Sequence, residues 1–214
     1  MNLNHSRLLL CALLSVLAGG CASTGATPNV APLADRVAES VLPSGQAPQW
    51  RVGDEWTYSD GYALRVAEVD GEAATLQRLD QPGQWVKRKG LFKLESQDAG
   101  AHRQTVFRGN GDPAGIFPLE LGKKVEFTRE YMADKQLRVH DSLWVVEGRQ
   151  TIEVPAGTFD CWVLTMTTKS RNSDWQSVER WWYSPEIKHY VRLEYRYGNT
   201  PASSRVLMRY DVKG

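Results

Sequence analysis

Tyr190-Val-Arg-Leu-Glu-Tyr-Arg-Tyr197 is the stretch on which the fold turns. Successive side chains of a strand point to opposite faces, so Val191, Leu193, Tyr195 and Tyr197 fall on one side and Arg192, Glu194 and Arg196 on the other. One face is made to pack and one to meet water. Downstream, Val206, Met208 and Tyr210 repeat the arrangement against Arg205 and Arg209, with Leu207 intruding on the polar side. Upstream, the same period runs back to Trp50, interrupted by turn residues: Ser59-Asp60-Gly61, Val69-Asp70-Gly71-Glu72, Gln81-Pro82-Gly83, Glu147-Gly148 and Gly198-Asn199-Thr200-Pro201. Acid-Gly pairs between alternating runs are hairpin signals, because the tight turns that match strand twist need positive φ. No helical stripe of useful length follows Trp50. The pattern predicts an antiparallel all-β domain of roughly ten strands over residues 50–214.

Composition locates that domain. All eight Trp, all eight Tyr and all five Phe lie at or after Trp50, and residues 22–49 contain none. The segment 21–49 is rich in Ala, Ser, Thr, Gly and Pro, the residues of a solvated tether. Within it, Leu33, Val37 and Val41 are spaced four apart behind Pro32, so a short amphipathic helix over 32–42 and an unstructured spacer are both open. Segments Arg51-Val-Gly-Asp-Glu-Trp-Thr-Tyr58 and Glu120-Leu-Gly-Lys-Lys-Val-Glu-Phe127 echo one another in pattern. Two similar halves of one sheet would produce this, but so short a β-like pattern recurs easily, and coincidence is the simpler reading.

The first 20 residues have the order of an export leader: a polar start ending in Arg7, an apolar run Leu8–Leu17, and small residues up to Cys21. The apolar run falls short of the about 20 residues needed to span a bilayer. Ala18-Gly19-Gly20-Cys21 resembles the lipobox of bacterial lipoproteins. The resemblance implies cleavage between Gly20 and Cys21 and acylation of the Cys21 thiol, with the membrane as partner through that anchor. Ala22 stands where an aspartate would resemble an inner-membrane retention signal, so the expected location is the outer membrane, facing the periplasm. Without residues 1–20 the chain carries 25 basic and 25 acidic residues. A neutral chain with interspersed signs lacks the basic stripe of a nucleic-acid binder.

A second resemblance rests on Glu153-Val-Pro-Ala-Gly-Thr-Phe-Asp-Cys-Trp-Val163 and Trp181-Trp-Tyr-Ser-Pro-Glu-Ile-Lys-His-Tyr-Val191. These look like a strand pair in a poorly characterised group of bacterial periplasmic proteins and lipoproteins. The resemblance implies a single, strongly curved antiparallel sheet or half-barrel, similar in outline to the lipoprotein-carrier folds of the envelope, and it carries over no catalytic residues. Pro155 and Gly157 suit a turn, and Pro185, unable to donate to a ladder, suits a strand end.

Chemistry is sparse in the chain. The histidines at 5, 102, 140 and 189 are not spaced as metal ligands, and no zinc motif is present. Gly109-Asn-Gly-Asp-Pro-Ala-Gly115 leads into extended chain rather than a helix, so it reads as a surface loop and not a phosphate cradle. No cofactor is expected and no nucleophile has a recognisable base. Cys161 reads as a small buried hydrophobe. What remains is the aromatic cluster of Trp175, Trp181, Trp182 and Tyr195. Because Trp181 and Trp182 are adjacent in a strand, one faces away from the other. A sheet packed on both faces explains such a cluster, as does a concave surface holding an acyl chain or an apolar protein segment. The expected activity is non-enzymatic: binding of an apolar ligand or lipid, with scaffolding through an envelope protein as the alternative and hydrolysis as the third.

Overall fold

The computed structural model describes residues 45–109, 111–133 and 135–214. Gly20, Cys21 and the helix expected at 32–42 lie outside them, as does most of the tether. Thirteen strands occur among the described residues. In chain order they are β1 (Glu55–Tyr58), β2 (Ala63–Asp70), β3 (Ala73–Arg78), β4 (Trp85–Lys89), β5 (Phe92–Asp98), β6 (Ala101–Gln104) and β7 (Val106–Arg108). After a 3-10 turn at Pro113–Ile116 follow β8 (Lys124–Ala133), β9 (Gln136–Val154), β10 (Gly157–Ser170), β11 (Gln176–Ser184), β12 (His189–Tyr197) and β13 (Ser203–Asp211). The class is as the alternation indicates. The count exceeds ten because short strands such as β6 and β7 are too brief to show a period.

All thirteen form one antiparallel sheet in the order β6-β5-β4-β3-β2-β1-β13-β12-β11-β10-β9-β8-β7. Every strand pairs with its neighbour in the chain, save that β13 returns to close on β1, and β6 and β7 lie at opposite edges. Only Thr105 separates those two edges in sequence. The extended segment 101–108 therefore pairs first with β5, as in Gln104↔Glu95, and then with β8, as in Val106↔Glu130. One residue of chain bridges the gap between the edges, and the sheet is a nearly closed barrel.

Turn chemistry acts where expected at four of the five sites. Gly61, Gly71, Gly83 and Gly198 all have positive φ in the loops that connect strands. Glu147-Gly148 is different: β9 runs straight through it, and Glu147 is skipped in the register between Val146↔Leu164 and Gly148↔Val163. The glycine marks a β-bulge rather than a turn, an alternative use of the same residue.

A second bulge corrects the strand from which the fold was inferred. Trp182 pairs with Arg192 but Tyr183 pairs with Tyr190, so Val191 is skipped. Tyr190 thereby joins Leu193 and Tyr197 on the inward face. The expectation for β13 holds at exposed Arg209 and core-packed Tyr210 but is reversed before the bulge at Met208. Arg205 pairs with inward Leu193 and Leu207 is fully buried, whereas Met208 is exposed. Arg205 can turn inward because Asp60 pairs with it at 2.6 Å and the Tyr62 ring lies 3.9 Å beneath its guanidinium.

The faint echo between Arg51–Tyr58 and Glu120–Phe127 is structural. Gly53 and Gly122 both have positive φ. Each donates to a valine carbonyl on the following long strand, Val66 or Val146, at 2.9 Å. Each of those valines donates back to the residue after the glycine, Asp54 or Lys123. Coincidence of pattern does not account for four matching hydrogen bonds, so the two segments are the same entry device used twice.

Packing against the sheet begins before Trp50: Leu119 donates to Gly45 O at 2.6 Å and Tyr183 donates to Gln46 O. One end of the barrel is fastened around the 185–188 turn that contains Pro185. Trp50 donates to Lys188 O and Trp56 to Ile187 O, at 3.0 and 2.8 Å. Fully buried Asp54 accepts from the backbone N–H of Arg51 and Lys213 and from Lys188 Nζ at 3.1 Å. A carboxylate so enclosed is tolerable only because it is paired and hydrogen-bonded.

Candidate functional site

The inward faces of the strands do not meet. They line a half-open cavity of about 720 Å³, within the range of small-molecule sites. Its inner wall is aromatic and aliphatic: Phe92 from β5, Phe127 from β8, Trp144 from β9, Met166 from β10, Trp181 from β11 and Leu193 from β12. The order follows from register in two adjacent inward rows, Val125↔Trp144↔Met166 across β8 to β10 and Leu164↔Trp181↔Leu193 across β10 to β12. Phe92 meets Phe127 and Trp144 edge-on at 5.9 and 5.4 Å, and Trp181 meets Tyr190 edge-on at 5.2 Å.

The four aromatic residues singled out from the sequence separate. Trp181 lines the cavity, is 4 % exposed, and donates its N–H to Glu179 at 3.1 Å. Trp175 also lines it, stacked on His140 with ring centres 4.8 Å apart. Trp182 does not: on the outer face it donates to Gln150 at 2.9 Å and lies between the guanidiniums of Arg180 and Arg192, about 5 Å from each. Tyr195 pairs opposite Glu179 and packs on Tyr197 without lining the cavity.

What sequence reasoning missed is the charge. Arg78, Arg88, Lys93, Arg103, Arg129 and Arg205 face the cavity, against Asp98 and Glu179. Arg78 pairs with Asp80, Arg103 with Asp98 and Arg205 with Asp60. Lys93 is exposed to the cavity yet walled by protein on most sides, and its pKa is lowered, by that enclosure first and by Arg88 second. Arg88 shares the parity of buried Val86 on β4, and Lys93 comes opposite it only because Leu94 is skipped in the register between Lys87↔Glu95 and Arg88↔Lys93.

Behind the wall, Tyr58 donates to Tyr190 O at 3.0 Å and lies 2.6 Å from His189 Nδ1. A hydroxyl has one proton to give, so His189 donates here and carries its proton on Nδ1. Burial, then Arg88 and Arg205, hold the His189 pKa well below its ordinary value, and the imidazole is neutral. Cys161 is buried, with its thiol pushed up to about 12 by burial, so it is an inert thiol. Among the described residues no group of three His, Cys, Asp or Glu could hold a metal ion.

No protein-family model matches the chain, and no curated protein is significantly similar. Solved structures do match. The hypothetical lipoprotein YmcC from Escherichia coli K12 superposes with a TM-score of 0.52 at 10% identity, covering 74% of this chain and 84% of that one. An exported protein of YmcC-like fold from Bacteroides fragilis is 16% identical over 78% of this chain and 99% of its own, with a TM-score of 0.44. The likeness to YmcC is one of architecture: this chain is a curved, nearly closed antiparallel sheet similar in fold to YmcC.

Proposed function

We propose that this chain is a non-enzymatic, lipid-anchored envelope protein whose barrel holds an apolar ligand or lipid. The observation that carries the reading is the half-open cavity of about 720 Å³ whose apolar wall is formed by Phe92, Phe127, Trp144 and Trp181. A scaffold would instead present a continuous apolar patch over a filled interior. Here the exposed large apolar residues are dispersed, Val52, Leu79 and Leu121 in loops and the others one to a strand over seven strands, with Met132 and Leu137 directly paired across β8 and β9. The anchor is Cys21, acylated and facing the periplasm from the outer membrane. The lipobox-like Ala18-Gly19-Gly20-Cys21 and Ala22 support this, and YmcC, which shares the architecture, is described as a lipoprotein. Two acyl chains suffice for stable attachment, whereas one binds only marginally.

The test is the full chain carrying Cys21→Ser, recovered from its host and weighed by native mass spectrometry. It is expected in the soluble periplasmic fraction with a small apolar molecule bound. Persistent membrane association would contradict the anchor. A stoichiometric protein in place of a small molecule would overturn ligand binding in favour of a scaffold.

A further inference from the structure

Resting on the reading of the cavity as a ligand site, the geometry points to an anionic amphiphile as the ligand: an apolar chain with a carboxylate, phosphate or sulfate head set against Arg88 and Lys93. The charges of the wall are unevenly compensated. Three of its six cations have a carboxylate partner, but Arg88, Lys93 and Arg129 have none within 4 Å among the described residues. The acid nearest in kind, Glu179, is occupied by Trp181 Nε1 at 3.1 Å and the Tyr197 hydroxyl at 3.2 Å. Arg88 spends one guanidinium nitrogen on Leu91 O at 2.8 Å, and its Nε has no partner.

Arg88 and Lys93 are also directly opposite each other in the β4–β5 register. Like charges so placed repel and destabilise a sheet. An anion between them would turn that repulsion into two charge-assisted hydrogen bonds, the stronger kind. The apolar part has its place beside them. Phe92 follows Leu91 and precedes Lys93, and Trp181, beneath the Arg88 guanidinium at 5.9 Å, continues to Trp144 at 5.6 Å. Head and tail sites are contiguous, which neither a free anion nor a neutral hydrocarbon needs.

The test uses the full chain with Cys21→Ser, free of detergent, titrated with decyl phosphate, decanol or inorganic phosphate below micelle concentrations. Fluorescence of the cavity tryptophans reports occupancy. Decyl phosphate is expected to bind roughly tenfold or more tighter than decanol, the scale of a charge-assisted hydrogen bond. Lys93→Gln and Arg88→Gln should each erase most of that preference and leave decanol unaffected. Because Lys93→Gln relieves the like-charge pair, its Tm should equal or exceed that of the parent, so lost affinity there cannot come from misfolding. Equal binding of decanol and decyl phosphate would overturn the anionic head and leave the apolar-ligand reading standing. Inorganic phosphate binding as tightly as decyl phosphate would overturn the amphiphile. No binding of any of the three would overturn both readings.

Discussion

Trp181 and Trp182 are adjacent, equally buried at 4 %, and placed in opposite environments. One forms cavity wall with its N–H on a carboxylate, and the other is clamped outside by two guanidiniums. Burial alone therefore does not mark function; the partner set does. The histidines show the same dependence on surroundings. His140, under Trp175 and near Arg129, Arg138 and Asp141, is lowered to about 4 by burial first and then by the two arginines. His189, facing Tyr58, Tyr190, Arg88 and Arg205, is shifted the same way. Both are neutral in the fold, so above about pH 7 neither folded nor unfolded chain gains a proton there. As pH falls below about 6.5, the unfolded chain takes up protons that the native state refuses, and stability drops by at most about 1.4 kcal/mol per pH unit per histidine. The His140 share ends near pH 4, and solvent screening at its shallow position keeps it below that ceiling. Urea unfolding from pH 8 to pH 4 should show this decline, partly flattened in His140→Gln. A flat profile would refute it.

At the scale of elements, the turns carry two kinds of constraint. Gly61, between β1 and β2, has φ of 83° and open space where a Cβ would stand. Gly198, between β12 and β13, has φ of 57°, and its Cβ would lie 3.0 Å from Trp175 Cδ1. Gly61→Ala should cost only the left-handed backbone, about 1–2 kcal/mol. Gly198→Ala should cost that and also displace Trp175 from His140, which tryptophan fluorescence alongside the urea midpoint will report. Equal costs with unchanged fluorescence would mean that Trp175 yields freely. The paired entry device at Gly53 and Gly122 belongs to this scale as well. It was visible as a pattern in sequence, but only the matching hydrogen bonds made it more than coincidence.

For the molecule as a whole, closure is uneven. β10 is paired with β9 through all fourteen of its residues and with β11 through eight, whereas β6 and β7 have four and three residues and sit at the two edges. Local opening should therefore start at 101–108, and amide exchange there should outpace that of β10 by on the order of a hundredfold. Uniform protection would show that the edges are sealed by more than Thr105.

The strand class, four of five turns and the core aromatics were legible in the sequence, because alternation and positive-φ glycine act through neighbours in the chain. The expectation of an export leader rests on the order of residue types alone, in a segment outside the described residues. Which face of β13 points inward was not legible, nor was the placing of Tyr190, because a single bulge reverses parity and leaves no mark in composition. The cavity and its uncompensated cations were likewise out of reach. Arg88, Lys93 and Arg129 come together only when a sheet of thirteen strands curls until its edges are one residue apart, and that closure is a property of the whole sheet.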